Sequence, residues 1–140
     1  MTRLGFLGNQ ASNAADLNLI VQIVTLLLLL VGAYFARTGR RKDHGRLMRS
    51  ALVIQFGALI LWMGPSLVLN IGALTRFTFG PVVTVFHAFG GILALALAIS
   101  ASYHRRIGSL QLKWTMRSTF AVWASAAILG IGFYVYYYVI

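Results

Sequence analysis

Three histidines are the residues of this chain best equipped for chemistry: His44, His87 and His104. Imidazole can ligate iron or copper, shuttle a proton or hydrogen-bond a quinone. Few other groups could assist them. The 140 residues include 2 acidic side chains and no cysteine. Without cysteine there are no disulfides, thiolate metal sites, iron–sulfur clusters or covalently attached haem. The long apolar runs contain no Asp or Glu, so a carboxylate-bridged metal site or a carboxylate proton relay within them is not expected. No nucleophile–base constellation and no phosphate-cradling glycine loop stands out. The chain reads as a protein that is not an enzyme.

The elements that must position these histidines are unusually apolar. Hydrophobic residues make up 59% of the sequence, charged residues 10%, and the mean hydropathy is +0.81. Two carboxylates cannot solvate the surface of a soluble domain of this size. The apolar residues fall into four runs, at about 17–35, 47–69, 81–103 and 120–138. Each has the roughly 20 residues needed to span a bilayer as a helix. The expected architecture is all-α, an integral membrane four-helix bundle over 17–140 behind a short polar leader, 1–16. The first run lacks the basic flank and small-residue cleavage site of a secretory signal. Asn13, with Asp16 three positions on, reads as its helix start.

The net charge of +10 is distributed by topology. Arg37, Arg40, Arg41, Lys42, Arg46 and Arg49 follow the first run. Arg105, Arg106, Lys113 and Arg117 lie between the third and fourth. Only Arg3 and Arg76 lie elsewhere. The positive-inside rule therefore puts the first and third loops in the cytoplasm and both termini outside, in a multi-pass protein of the cell membrane. The same basic residues suit anionic lipid headgroups rather than nucleic acid. Tyr134, Tyr136, Tyr137 and Tyr138 form an aromatic group at the outer end of the fourth run.

Small residues mark the faces that pack. In the third run Thr84, His87, Gly91, Ala94, Ala98 and Ala101 recur at steps of three and four, with Val82, Phe86, Phe89, Leu93 and Leu97 largely off that stripe. Ala126 and Gly130 are a matching pair in the fourth run. Gln22, Thr25 and Gln55 are polar points expected to serve as interhelical glue. Pro65 is expected to kink the second helix near its outer end. His87 lies on the packed stripe, about 9 Å below the outer surface by helical rise. His104 is about 25 Å further along the same axis, so the two cannot share one metal. His44 and His104 lie at the cytoplasmic boundary. For His87 the residues alone leave open an interhelical hydrogen bond, a cofactor or metal contact, and proton or quinone chemistry. Met63 is a conceivable thioether ligand.

Three stretches carry a resemblance: Asp43-His44-Gly45-Arg46-Leu47-Met48-Arg49-Ser50-Ala51; Val85-Phe86-His87 followed by Gly91; and Trp123, Gly130 and Tyr134 with a Tyr-Val-Ile ending. Over about 40–140 the chain resembles the CtaM-like (YozB-like) family of small four-helix membrane proteins, linked to maturation of haem–copper terminal oxidases. The resemblance implies that histidines are the functional positions, with His44 and His87 matching by motif. It departs from the family at Lys113-Trp114 and at Met63-Gly64-Pro65-Ser66, where members tend to carry histidine or polar residues. The implied function is a non-catalytic accessory or assembly subunit of a respiratory membrane complex, with haem or copper handled through His87, His44 or His104. A small haem b-binding redox protein and a purely structural subunit of another membrane enzyme are the alternatives.

Overall fold

A computed structural model describes residues 5–8, 11–69, 79–103 and 109–140. It is all-α. Helix α1 is Asn13–Arg37; α2, Arg41–Ala58, continues through a π turn, Leu59–Met63, into α3, Gly64–Leu69; α4 is Phe79–Tyr103 and α5 is Ser109–Tyr138. Four of these segments are long and apolar enough to cross a membrane: Asn13–Arg37, Arg41–Met63, Val82–Ser102 and Gln111–Tyr138. The chain is a multi-pass four-helix membrane bundle.

The helices overrun the apolar runs. Helix α2 begins at Arg41 rather than 47, and α5 at Ser109 rather than 120. Apolarity marks the part of a helix that meets hydrocarbon, whereas Lys, Arg and Gln are good helix formers beyond it. Arg41, Lys42, Arg46, Arg49, Lys113 and Arg117 therefore stand on helices, not in loops. Arg37 ends α1, where a cation complements the helix dipole. Asp43 offsets the opposite arrangement at the start of α2. It pairs with Arg40 at 2.8 Å and Arg46 at 3.8 Å. The α1–α2 connection closes tightly because Gly39 adopts φ +77 while the Arg40 N–H bonds the Phe35 carbonyl.

Ser12, not Asn13, caps α1, its hydroxyl accepting from the Ala15 N–H at 3.2 Å. A π turn directly precedes Pro65, where the sequence leads one to expect a kink. Proline has no N–H to continue the helical ladder, and the Gly64 N–H bonds back to the Leu59 carbonyl. This five-residue step carries the chain into Pro65 with a widened turn.

Helix α4 packs mainly on α5, and α1 on α2; α1 also crosses α5. Helices α2 and α4 barely touch. The centre is built on Leu29, Ala51, Ala94 and Trp123. Ala58, Ala126 and Ala127 are also buried, as expected where backbones approach closely in lipid. On α4 the buried residues include Ala94 and Ala101, while Phe86 and Phe89 point outward. Thr84 and Ala98 are half-buried. One stripe member needs correction. The tight glycine on α4 is Gly90, where an added Cβ would meet the Ala126 Cβ at 3.3 Å. Gly91 has nothing within 4 Å of such a Cβ. A step of three rather than four from His87 gives the face turned to α5.

Candidate functional site

His87 is set by two helices. Its Nδ1 lies 2.8 Å from the Ala126 carbonyl oxygen of α5. A carbonyl only accepts, so Nδ1 carries the proton and donates, leaving the lone pair on Nε2. The ring reaches α5 only because residue 130 is glycine. A Cβ there would fall 2.5 Å from the His87 Cε1 and 3.0 Å from Nδ1. The Ala126–Gly130 pair thus supplies both the acceptor and the space. Of the readings that the sequence leaves open for His87, the interhelical hydrogen bond is present.

His87 also lines a cavity of about 820 Å³ between α1, α2, the π turn, α4 and α5. Four of the lining residues each also have a buried polar atom without a hydrogen-bond partner, packed away from accessible space: Asn18 Oδ1, Gln22 Nε2, Gln55 Oε1 and Trp123 Nε1. Gln22 is 3% exposed, Gln55 7% and Trp123 4%. These groups correct the expectation of glue. Gln22 leaves its amide nitrogen unpaired inside the bundle. Thr25 bonds its own helix, at the Val21 and Gln22 carbonyls. The Gln55 amide nitrogen turns 3.8 Å towards the Met63 sulfur in the same span.

Near the start of α1, Asp16 is fully buried. It accepts from the Leu7 N–H at 2.9 Å and from the Tyr134 hydroxyl. The segment around Gly5–Gly8 therefore folds onto the bundle through Asp16 and is more than a polar leader. The sequence contains a signal for this. Asp16, Gln22, Thr25, Leu29 and Gly32 are the buried residues of α1, at near-helical spacing. In this apolar run the polar and small positions, with Leu29, mark the inside, while Leu27 and Leu30 are exposed.

The other histidines do not join His87. His44 Nδ1 donates to the Gly32 carbonyl at 2.8 Å, stapling α1 to α2. Gly32 is ten residues from Gln22, about 15 Å along α1. His44 does not line the cavity. His104, Arg105, Arg106 and Arg76 lie outside the described residues. Among the described residues no group of three His, Cys, Asp or Glu could hold a metal. The described cavity lining offers one imidazole, the Met63 thioether and no Lys or Arg to meet haem propionates. That donor set does not match a bis-histidine haem or a three-ligand copper site. The described lining carries no Lys, Arg, Asp or Glu, and its walls are mainly apolar and aromatic. Comparison with family models, with curated proteins and with solved structures finds no match for the chain.

Proposed function

We propose that the chain is a non-catalytic accessory or assembly protein of a respiratory membrane complex, with a haem–copper terminal oxidase as its partner. In this reading it sits in the cell membrane with both termini outside, and its basic helix ends lie against anionic headgroups. The cavity at His87 is its working part. One observation carries the reading: His87, Gln22 and Gln55, from three helices, line one cavity without a charged side chain among its described lining. Such a lining suits holding a molecule for a partner. The resemblance in the His44, His87 and Trp123–Tyr134 stretches supplies the expected kind of partner.

The test is a native pull-down in mild detergent with an absorbance scan of the eluate. The reading predicts co-purification of a larger respiratory complex, with any haem bands following the partner when the two are separated. A chain that purifies alone and carries its own Soret band, lost in His87→Gln, would replace this reading with the haem b alternative.

A further inference from the structure

We infer that the turn at residues 5–8 is a membrane-interface anchor: Asp16 holds it at the bilayer boundary, and its tip, Phe6 and Leu7, seats in the lipid there. Such an anchor requires only the four spans. Neither the accessory reading nor the side of the membrane that the α1 start faces enters.

The turn is built to present apolar side chains. The Gly8 N–H bonds the Gly5 carbonyl at 3.0 Å, and Gly8 takes φ +76, a conformation that glycine adopts without steric cost. The central positions of turns usually hold polar residues, glycine or proline. Here they hold Phe6, 55% exposed, and Leu7, 48% exposed. Two large apolar side chains are more stable in an apolar surrounding than in water. The bundle leaves about half of each uncovered, and neither lines the cavity.

Depth selects lipid as the surrounding. The Leu7 N–H donates to Asp16 Oδ2 at 2.9 Å. Gly5 is buried, and a side chain there would run into the Asp16 carboxylate and the Ala11 carbonyl. The turn is thus pinned beside Asp16, one residue before the apolar run that opens at Leu17. Leu17 and Ile20 are exposed just beyond it on α1. Asp16 also accepts from Tyr134, and Tyr136 and Tyr137 next to it in α5 are exposed. Exposed aromatic rings at the end of a span mark the headgroup level. The polar groups of the turn suit that level too. The Leu7 and Gly8 N–H groups are both bonded within the protein, as backbone leaving water requires, and residues 5–8 carry no charged side chain.

The chain has no cysteine, so Phe6→Cys or Leu7→Cys places a single nitroxide label on the tip. With the full chain in phosphatidylcholine vesicles, label collisions are measured with oxygen, which concentrates in lipid, and with a water-soluble nickel chelate. Leu27→Cys, at an exposed position within the α1 span, is the lipid reference. Both tip labels should favour oxygen and lie about 5–10 Å into the interface, the usual seating of an interfacial apolar segment. Gly5→Leu, which drives a side chain against Asp16, should return both labels to the nickel-accessible phase while the label at residue 27 keeps its depth. With the label at residue 7, Phe6→Ser should also shift it towards water. Preferred collision with nickel in the starting protein, or unchanged depth in Gly5→Leu and Phe6→Ser, overturns the anchor. Exclusion of both reagents overturns it too and assigns the tip to a second copy of the chain or another protein surface. None of these readouts depends on a co-purifying complex, so the anchor and the accessory reading fail separately.

Discussion

His44 and His87 use the same device in two regions with different surroundings. Each donates through Nδ1 to a backbone carbonyl of a neighbouring helix at 2.8 Å. At each, a buried or close-packed glycine lets the helices meet. At Gly32 the close neighbour is the Met48 side chain; at Gly130 it is the imidazole itself. At the α1–α2 staple, Met48 fills the space beside the ring and the ion pairs of Asp43 lie one residue away. At the α4–α5 staple, the ring borders a cavity lined also by Asn18, Gln22, Gln55 and Trp123. An interhelical histidine bond therefore identifies a joint, and only its surroundings distinguish a joint from a site.

The largest contrast is in which side of the membrane each region faces. In the proposed orientation the His44 end lies in the cytoplasm and the α1 start outside. Cysteines introduced after Asn9 and at Lys113 should label oppositely in intact cells: the first modified by an impermeant reagent, the second protected. The reverse pattern would exchange the two environments.

Next in size is the steric dependence of the two staples on glycine. Gly130→Leu drives a side chain into the His87 ring and separates α4 from α5. Overpacking together with a lost hydrogen bond predicts a loss of about 3 kcal/mol. Gly132→Leu, with nothing near its Cβ, should cost much less. Denaturant titration in mild detergent measures both. Similar losses at the two positions would mean that the α4–α5 joint does not rest on Gly130.

At His87 itself, Leu and Gln should behave differently. His87→Leu removes the donor to Ala126, at a cost of about 1–2 kcal/mol. His87→Gln keeps a donor of adequate reach and should retain most of the stability. The same titration compares them, and equal loss in the two variants would show that ring packing on Gly130 outweighs the hydrogen bond.

The two regions also differ in how far they can be read from sequence. The four spans are legible because hydrocarbon thickness fixes the length of an apolar run. Ala94, Ala126 and Gly130 are legible because small residues at helical spacing mark close approach. The positions of the histidines follow from the same spacing. The cavity is not legible. It lies where residues of the π turn at Leu59–Met63 meet α1, α2, α4 and α5, a juxtaposition that no single helix encodes. The partner of a polar side chain is similarly a tertiary fact. Gln22 and Gln55 look alike as glue, yet each leaves an atom unpaired. Asp16 escapes notice as a helix-start residue, although its register with Gln22, Thr25 and Gly32 places it inside.

The smallest expected effect is at His44, and the comparison makes it informative. The residue is half-buried in the first turn of α2, beside exposed Arg41, Lys42 and Arg46. Water near that end can compensate the Gly32 carbonyl when the ring is removed. That oxygen also lies within α1, where a helical N–H can serve it. His44→Gln should therefore be close to neutral, and His44→Leu should cost about 0.5–1 kcal/mol, the net value of one partly solvated hydrogen bond. Denaturant titration measures both variants. A stability loss as large as that of His87→Leu would make the α1–α2 joint an equal support of the bundle.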